Sequence, residues 1–272
     1  MPSSPSSVET FLLAFHAQHA RDGCALFDVG EITPGFGSYD LLVRAVESAS
    51  RVLDVGCGDG ALLAKLDELR PGSAIGLDFS PDVLAAARAR LPDRVRLIQA
   101  WAQEMPLEDG AVEAVVSHMA LMLMDDLHRV LREVRRVMHP GGVFCAVVSG
   151  PPHPSEESRR FFSVLRDCLR EEDVTPRFGA DCFRSVEDIP AAWCAAGFDA
   201  PAIEDHELTR RVPADRLRAF FKQSYYPVAL LSPAGQAALA ARAEEVLRPH
   251  VHDGCLSWRS TVRCIHTRAR PA

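Results

Sequence analysis

The 272-residue chain has no apolar run of the roughly 20 residues that a helix needs to cross a bilayer. Its first ten residues, MPSSPSSVET, have neither the basic start nor the apolar core of a secretion signal. Both absences predict a cytoplasmic protein with no membrane partner. With 47% hydrophobic and 25% charged residues, the composition is that of a globular chain able to form a full core.

Closely spaced metal ligands are also missing. None of the eight cysteines stands in a C-x-x-C pair, and no two of the ten histidines show the H-x-x-x-H spacing of a metal-binding helix. We therefore predict no metal site and reduced thiols that mostly pack as small hydrophobic side chains. Lysine occurs only at Lys65 and Lys222, and the net charge of −7 disfavours a general nucleic-acid partner.

Strand and helix patterns alternate through the middle of the chain. Short apolar runs are separated by amphipathic helical patterns, which is typical of a parallel sheet with helices on both faces. Ligands of such sheets bind beyond the carboxyl ends of the strands, where the strand order reverses. The predicted strands of this region are 51–55, 74–77, 95–99, 111–117 and 143–148.

The two flanks are predicted to be largely helical. Residues 8–20 and 39–48 form the N-terminal helices, and residues 155–170 and 212–247 contain the main helices of the C-terminal part. Two further strand-like segments lie in this last part, at 202–211 and 255–266.

The loop after the first of these strands carries the clearest ligand signal, in the stretch LDVGCGDG. Gly56, Gly58 and Gly60 allow a backbone to approach a ligand closely, and the helix that follows presents free N–H groups. Gly56, Gly58 and Ala61 also satisfy the dinucleotide pattern G-x-G-x-x-G/A, so the pattern alone leaves a nicotinamide cofactor open. Asp54, two residues before the first glycine, disfavours a pyrophosphate. It favours either a cationic ligand or a role in holding the N–H groups of the loop.

A second acid, Asp78, ends the next predicted strand in AIGLDFS. A carboxylate at this position can accept hydrogen bonds from both hydroxyls of a ribose. The alternative role is the N-cap of the following helix, but Ser80 followed by Pro81 already supplies that pattern. The sequence therefore favours the ribose contact.

Four blocks, LDVGCGDG, GLDFS, AQEMPLEDGAVEAVVS and LREVRRVMHPGG, occur in an order that resembles the class I S-adenosylmethionine (SAM)-dependent methyltransferases, most of all their small-molecule branch. The resemblance covers residues 51–148. It implies an α/β, Rossmann-like sheet of seven mostly parallel strands, with helices on both faces, an antiparallel last strand and a helical lid from the N-terminal helices and the C-terminal part. We accordingly divide one domain into an N-terminal helical cap (1–50), a SAM-binding core (51–150) and a remainder with the inserted lid (151–272).

The resemblance implies SAM as cofactor and S-adenosylhomocysteine as its product. Where relatives carry an aspartate for the adenine amine, this chain has Trp101, which can stack on the ring or cover its edge but accepts no hydrogen bond. The alternatives are a half-buried loop tryptophan and an amine bound by backbone or Gln103. The residues implied in cofactor binding are Asp54, Gly56, Cys57, Gly58, Gly60, Asp78, Phe79, Trp101, Ala102 and Ser117.

His118, just past the fourth of these strands, is the best-placed candidate for a catalytic group, and Tyr39 is a second. Methyl transfer from a sulfonium requires an aligned acceptor and exclusion of water, and a base only where the acceptor keeps its proton until attack. His118 is either a base or a positioning residue, and we favour positioning. The candidate substrate contacts are His16, His19, Met122, His153, Tyr225 and Tyr226, although Met122 is equally suited to the core.

These observations predict an enzyme that transfers a methyl group from SAM to an oxygen, nitrogen or carbon atom of a small organic molecule, in specialised metabolism. One alternative is a SAM-binding protein of the same fold that does not methylate, such as a cyclase. An NAD-dependent oxidoreductase is a further alternative, disfavoured by Asp54 and the four blocks. Neither the oligomeric state nor the identity of the acceptor follows from the sequence.

Overall fold

The structure is a computed structural model that describes residues 7–19, 30–70, 72–176, 183 and 186–271. Within these ranges the strands are β1 (Glu31–Thr33), β2 (Phe36–Gly37), β3 (Val52–Val55), β4 (Ala74–Asp78), β5 (Arg96–Gln99), β6 (Val112–His118), β7 (Met138–Ser149), β8 (Ala202–Pro213), β9 (Val251–His252) and β10 (Cys255–Arg268). The helices are α1 (Ser7–His19), α2 (Ser38–Ala45), α3 (Ala61–Leu69), α4 (Pro81–Arg90), α5 (Leu127–Val137), α6 (Glu156–Glu171), α7 (Asp188–Ala195), α8 (Leu217–Ser224), α9 (Tyr226–Ala229) and α10 (Pro233–Leu247).

The described strands form one mixed sheet in the order β2-β1-β8-β10-β7-β6-β3-β4-β5, with β9 paired to β10. Strands β3 to β7 pair in parallel, and β10 inserts antiparallel between β7 and β8. This confirms the seven predicted strands, β3 to β8 and β10, as a mostly parallel arrangement with an antiparallel last strand, within a sheet of ten strands among the described residues. The hairpin β1–β2, which extends the sheet beyond β8, was not predicted.

Both faces of the central strands are buried, because apolar side chains alternate between them. In β7, Phe144 and Ala146 pack on one face while Cys145 and Val147 pack on the other. Helices α5 and α7 cover the first face, and α2, α3 and α4 cover the second. The sequence of α5 explains its placement, since its buried residues recur at the spacing of one helix face: Leu127, Val130, Leu131, Val134 and Val137.

Strands β8 and β10 continue past the carboxyl ends of the parallel strands as a two-stranded arm. β7 ends at Ser149, beside Val262 of β10, whereas β10 begins at Cys255 and pairs with β8 from there. Helices α6, α8 and α10 pack on this arm around an apolar cluster that includes Phe161 and Trp258. The C-terminal helices predicted as a lid thus lie beyond the edge of the sheet at which ligands bind.

The described part of the chain has neither a membrane-spanning helix nor a cluster of metal ligands. No helix among the described residues is long and apolar enough to cross a membrane. Nor do three or more His, Cys, Asp or Glu side chains in this part of the chain come together as a group that could hold a metal ion.

Candidate active site

A cavity lies at the carboxyl ends of β3, β4 and β6, where the strand order reverses. The space within it, counting its open mouth, is about 1060 Å³. Its lining includes many of the residues predicted from the sequence, namely Asp54, Gly56, Cys57, Gly58, Asp78, Phe79, Trp101 and Ala102, together with His16, Tyr39, His118 and Tyr226.

Two residues predicted to bind cofactor lie outside this lining. Gly60, at the N-terminus of α3, has φ +80° and packs so closely that a Cβ would lie 2.6 Å from Cδ1 of Leu91. The Ser117 hydroxyl donates to the carbonyl of Val55 at 2.7 Å and thereby joins β6 to β3. Both residues contribute to the packing next to the cavity and do not line it.

Three residues predicted as substrate contacts are also placed elsewhere. Met122 accepts a hydrogen bond at its sulfur from the Ser149 N–H at 3.2 Å. Nε2 of His153 lies 2.8 Å from the carboxylate of Glu207, near the start of α6. The Tyr225 hydroxyl accepts a hydrogen bond from Trp258 within the cluster of the arm. The side chain of His19 lies outside the described part of the chain.

The glycine loop is fastened to β4 by its backbone. Gly56 and Cys57 both donate to the carbonyl of Leu77, at 2.8 and 3.0 Å, and Gly58 donates to Oδ2 of Asp78 at 3.0 Å. Gly56 has φ +75°, and a Cβ there would meet Cβ of Ala120 at 2.4 Å. Gly58 also has a positive φ, but nothing lies within 4 Å of where its Cβ would be, so a ligand can approach it.

Asp78 contacts the start of α4 and also lines the cavity, so its predicted contact with a ribose stays a prediction. Oδ1 accepts a hydrogen bond from the Ser80 N–H at 2.9 Å, so the carboxylate supports the start of α4. Ser80 stands at the N-cap position, as predicted, but its hydroxyl makes no capping bond and is buried without a partner. Asp78 also lines the cavity, where burial raises its pKa to about 6 against the opposing effect of the backbone N–H bonds.

Asp54 is the least satisfied polar group of the cavity. It is 1% exposed, and its Oδ1 has no hydrogen-bond partner. Burial and the nearby charge of Asp78 raise the pKa of Asp54 to about 8. Because an isolated buried carboxylate is unfavourable, this site is suited to a ligand that brings a positive charge or hydrogen-bond donors.

The aromatic end of the cavity is formed by Phe79 and Trp101, whose rings stack with centroids 4.8 Å apart and planes 28° apart. A third ring between them would require a separation of roughly 7 Å, twice the usual carbon–carbon contact distance. A bound ring must therefore stack on the outside of the pair or displace one member. The amide nitrogen of Gln103 already donates to the carbonyl of Asp125 at 2.8 Å.

His118, the last residue of β6, pairs with Val147 of β7 and lines the cavity. Its Nε2 is 2.8 Å from the Ser38 hydroxyl, and its ring centroid is 4.1 Å from that of Tyr39. Met119, the next residue, has φ +52°, a conformation rare outside glycine that clusters at functional sites. Burial lowers the pKa of His118 to about 3, so the ring is neutral at physiological pH.

The roof of the cavity joins the two flanks of the chain. Phe15 of α1 packs against Tyr226 at the start of α9, with centroids 5.0 Å apart. Phe15 and Leu12 are buried and line the cavity. The apolar residues of α1 indicate a helix with one buried face. They do not reveal that this face packs against Tyr226, which lies far along the chain. Ser38 and Met119 carried no pattern that marked them as site residues.

Comparison with known proteins agrees with this geometry. Residues 53–146 match the methyltransferase-domain family. Over 171 residues the chain is 38% identical to the demethylmenaquinone methyltransferase of Thermus thermophilus, covering 57% of this chain and 77% of that protein. It is 31% identical to the malonyl-acyl-carrier-protein O-methyltransferase of Geobacter sulfurreducens, over 61% of this chain and 62% of that one.

Solved structures share the fold at low identity. The (4+2)-cyclase SpnF has a TM-score of 0.59 at 21% identity, covering 99% of this chain and 98% of its own. The phosphoethanolamine N-methyltransferase 2 of Haemonchus contortus, solved with SAM, has a TM-score of 0.57 at 17% identity, over 100% of this chain and 62% of its own.

One class of protein combines these features. It has a mostly parallel sheet and a glycine loop between two acids, and these matches belong to it. The chain belongs to the class I SAM-dependent methyltransferases. Membership of this family implies SAM as the methyl donor. It disfavours the nicotinamide cofactor that the glycine pattern alone had left open.

Proposed function

We propose that this chain transfers a methyl group from SAM to a small organic acceptor held in the cavity, as a step of specialised metabolism. The observation that carries the proposal is the buried, unpartnered Oδ1 of Asp54 in a cavity at the carboxyl edge of the sheet. SAM carries a positively charged amino group and a sulfonium, and either one offsets the cost of an ionised Asp54 in this position.

The residues present fit such a cofactor. Asp54 faces the amino group, and the open backbone at Gly58 accommodates the methionine part. Asp78 accepts hydrogen bonds from the ribose hydroxyls with lone pairs that its two backbone contacts leave free. The adenine packs against Phe79 or Trp101. When bound, SAM would supply a methyl group on a sulfonium sulfur, and the neutral thioether S-adenosylhomocysteine would be the leaving group.

The rest of the cavity binds and orients the acceptor and excludes water. Leu12, Phe15 and Tyr226 form an apolar cover, and His118 and Tyr39 present polar atoms beneath it. A neutral His118 can orient a hydroxyl or an amine by hydrogen bonding without a charged imidazole. Among the described residues that line the cavity there is neither lysine nor arginine, which favours an acceptor without a phosphate or carboxylate group.

Isothermal titration calorimetry tests the cofactor part of this proposal. SAM and S-adenosylhomocysteine are expected to bind, and NADH is not. Asp78→Ala is expected to weaken SAM binding by about 1–3 kcal/mol, the usual loss for hydrogen bonds to a charged acceptor. Asp93→Ala, at an exposed position, is the matched control. A folded Asp78→Ala variant with unchanged affinity for SAM contradicts the ribose assignment.

Methyl transfer itself needs a second test, because a neighbour of the same fold bears the name of a cyclase. Incubation with methyl-labelled SAM and a library of uncharged phenols and amines is expected to release S-adenosylhomocysteine and to label one class of acceptor. Conversion of an acceptor with no release of S-adenosylhomocysteine indicates a SAM-binding protein that does not methylate.

A further inference from the structure

His16 is the second cavity residue with an unsatisfied buried atom. It lies on α1 and lines the cavity, and its Nδ1 is buried without a hydrogen-bond partner. Its ring centroid is 5.9 Å from that of Phe79, at the aromatic end of the cavity. A buried ring nitrogen with no partner in the protein is suited to a partner on a ligand.

The residues around His16 indicate which chemical group of a ligand would pair with its Nδ1. Phe79 has no hydrogen-bonding atom, and the indole of Trp101 can only donate. A heteroaromatic ring that stacks at this end and carries an amino group therefore finds no acceptor on either ring. Glu9 and Gln103 also line the cavity and contact each other, since the Gln103 amide nitrogen lies 3.4 Å from Oε1 of Glu9 and donates to the Asp125 carbonyl at 2.8 Å. His16 differs from both because its Nδ1 is buried with no partner in the protein.

The protonation state of His16 agrees with an acceptor role. Burial lowers its pKa to about 4, with an opposing effect from the charge of Asp82 on the adjacent helix α4. The imidazole is therefore neutral at physiological pH, and one of its two nitrogens carries a lone pair. With the proton on Nε2, the buried Nδ1 is that acceptor.

We propose that His16 belongs to the adenine subsite and that its Nδ1 accepts a hydrogen bond from the adenine amino group. The inference rests on the proposed function, because it requires SAM in this cavity. It moves His16 from the substrate contacts predicted by the sequence to the cofactor, and it supplies the acceptor that Trp101 lacks.

The test compares two ligands on four proteins by calorimetry. The ligands are S-adenosylhomocysteine and its 6-deamino analogue, in which hydrogen replaces the adenine amino group. Wild type is expected to prefer S-adenosylhomocysteine by roughly 2- to 12-fold, the range of one neutral hydrogen bond. His16→Phe keeps a ring but removes the acceptor, so its preference is expected to fall to about one. His16→Gln restores an acceptor oxygen and part of the preference.

His128→Phe, at an exposed position on α5, is the control and is expected to keep the wild-type preference. The ratio of the two affinities remains measurable even where a change in α1 weakens both ligands. A His16→Phe variant with the full preference overturns the inference. Wild type that binds both ligands equally overturns it too, while the proposed function stands. Wild type that binds neither ligand refutes both.

Discussion

The Ser38 hydroxyl and Nε2 of His118 lie 2.8 Å apart, which ties the first residue of α2 to the last residue of β6. Both side chains are buried. The bond connects the N-terminal cap to the end of a central strand, at a residue that lines the cavity. The bond therefore holds the imidazole ring of His118 in one orientation.

Ser38→Ala removes this bond and leaves Nε2 of His118 buried without a partner. Chemical denaturation is expected to show a loss of about 1–3 kcal/mol in the free energy of unfolding, the usual penalty for an unsatisfied buried group. Ser50→Ala, at an exposed position just before β3, is expected to change stability by less than about 0.5 kcal/mol. Equal stability of the two variants shows that the bond contributes nothing.

His118 also makes stability depend on pH. Its folded pKa of about 3 lies below the ordinary histidine value of 6.5, so between these values the unfolded chain binds more protons than the folded one. Stability is therefore lost as the pH falls below 6.5, by on the order of 2 kcal/mol at pH 5. His118→Gln is expected to lack this part of the decline when unfolding is measured at both pH values.

A decline of the same size in His118→Gln rules out the buried, neutral imidazole as its cause. The low pKa also predicts that the rate of methyl transfer has no inflection near pH 6.5. An inflection there that disappears in His118→Gln, together with a loss of roughly 100- to 10,000-fold in rate, identifies His118 as a general base instead.

Asp54 is expected to release a proton when SAM binds. Its folded pKa of about 8 means that the carboxyl is largely protonated at pH 7 without ligand, and a cation beside it favours the ionised form. SAM affinity is therefore expected to rise with pH up to about 8. Calorimetry in buffers of different ionisation enthalpy measures the released protons. Asp54→Asn, which keeps the shape but cannot ionise, serves as the control, and equal proton release in both proteins contradicts the assignment.

The Phe79–Trp101 pair provides an optical signal for the cofactor. The chain has three tryptophans, and Trp193 and Trp258 are buried away from the cavity lining. Tryptophan fluorescence is expected to change when S-adenosylhomocysteine binds, and Trp101→Phe is expected to abolish the change while the protein stays folded. A response that survives in Trp101→Phe places the adenine elsewhere.

The sheet could be predicted because its signals are local. Strands β3, β4 and β6 are short, largely apolar runs, and the alternation of Phe144 and Cys145 between two buried faces of β7 follows from strand geometry. The hairpin β1–β2 was missed because its strands are only three and two residues long. β8 continues two residues beyond its predicted end by pairing with β10, and β10 continues two residues beyond its own by pairing with β7, which no local pattern reveals.

The place of Asp54 and Asp78 in the cavity was predictable for the same reason, since both stand at or near the carboxyl ends of neighbouring strands. The rest of the site depends on contacts distant in sequence. Ser38 and His118 are separated by 80 positions, and only the fold brings them together. Tyr225 and Tyr226 look equivalent in sequence, yet one lies in the cluster of the arm and the other in the roof, because α9 begins between them.

The most direct test of the account is a crystal structure with S-adenosylhomocysteine at saturating concentration. Density is expected in the cavity at the carboxyl ends of β3 and β4, with the ribose hydroxyls within hydrogen-bonding distance of Asp78. The amino group of the homocysteine part is expected beside Asp54, and the adenine against Phe79 or Trp101. Ligand bound at another surface, or in this cavity with its ribose away from Asp78, contradicts the account.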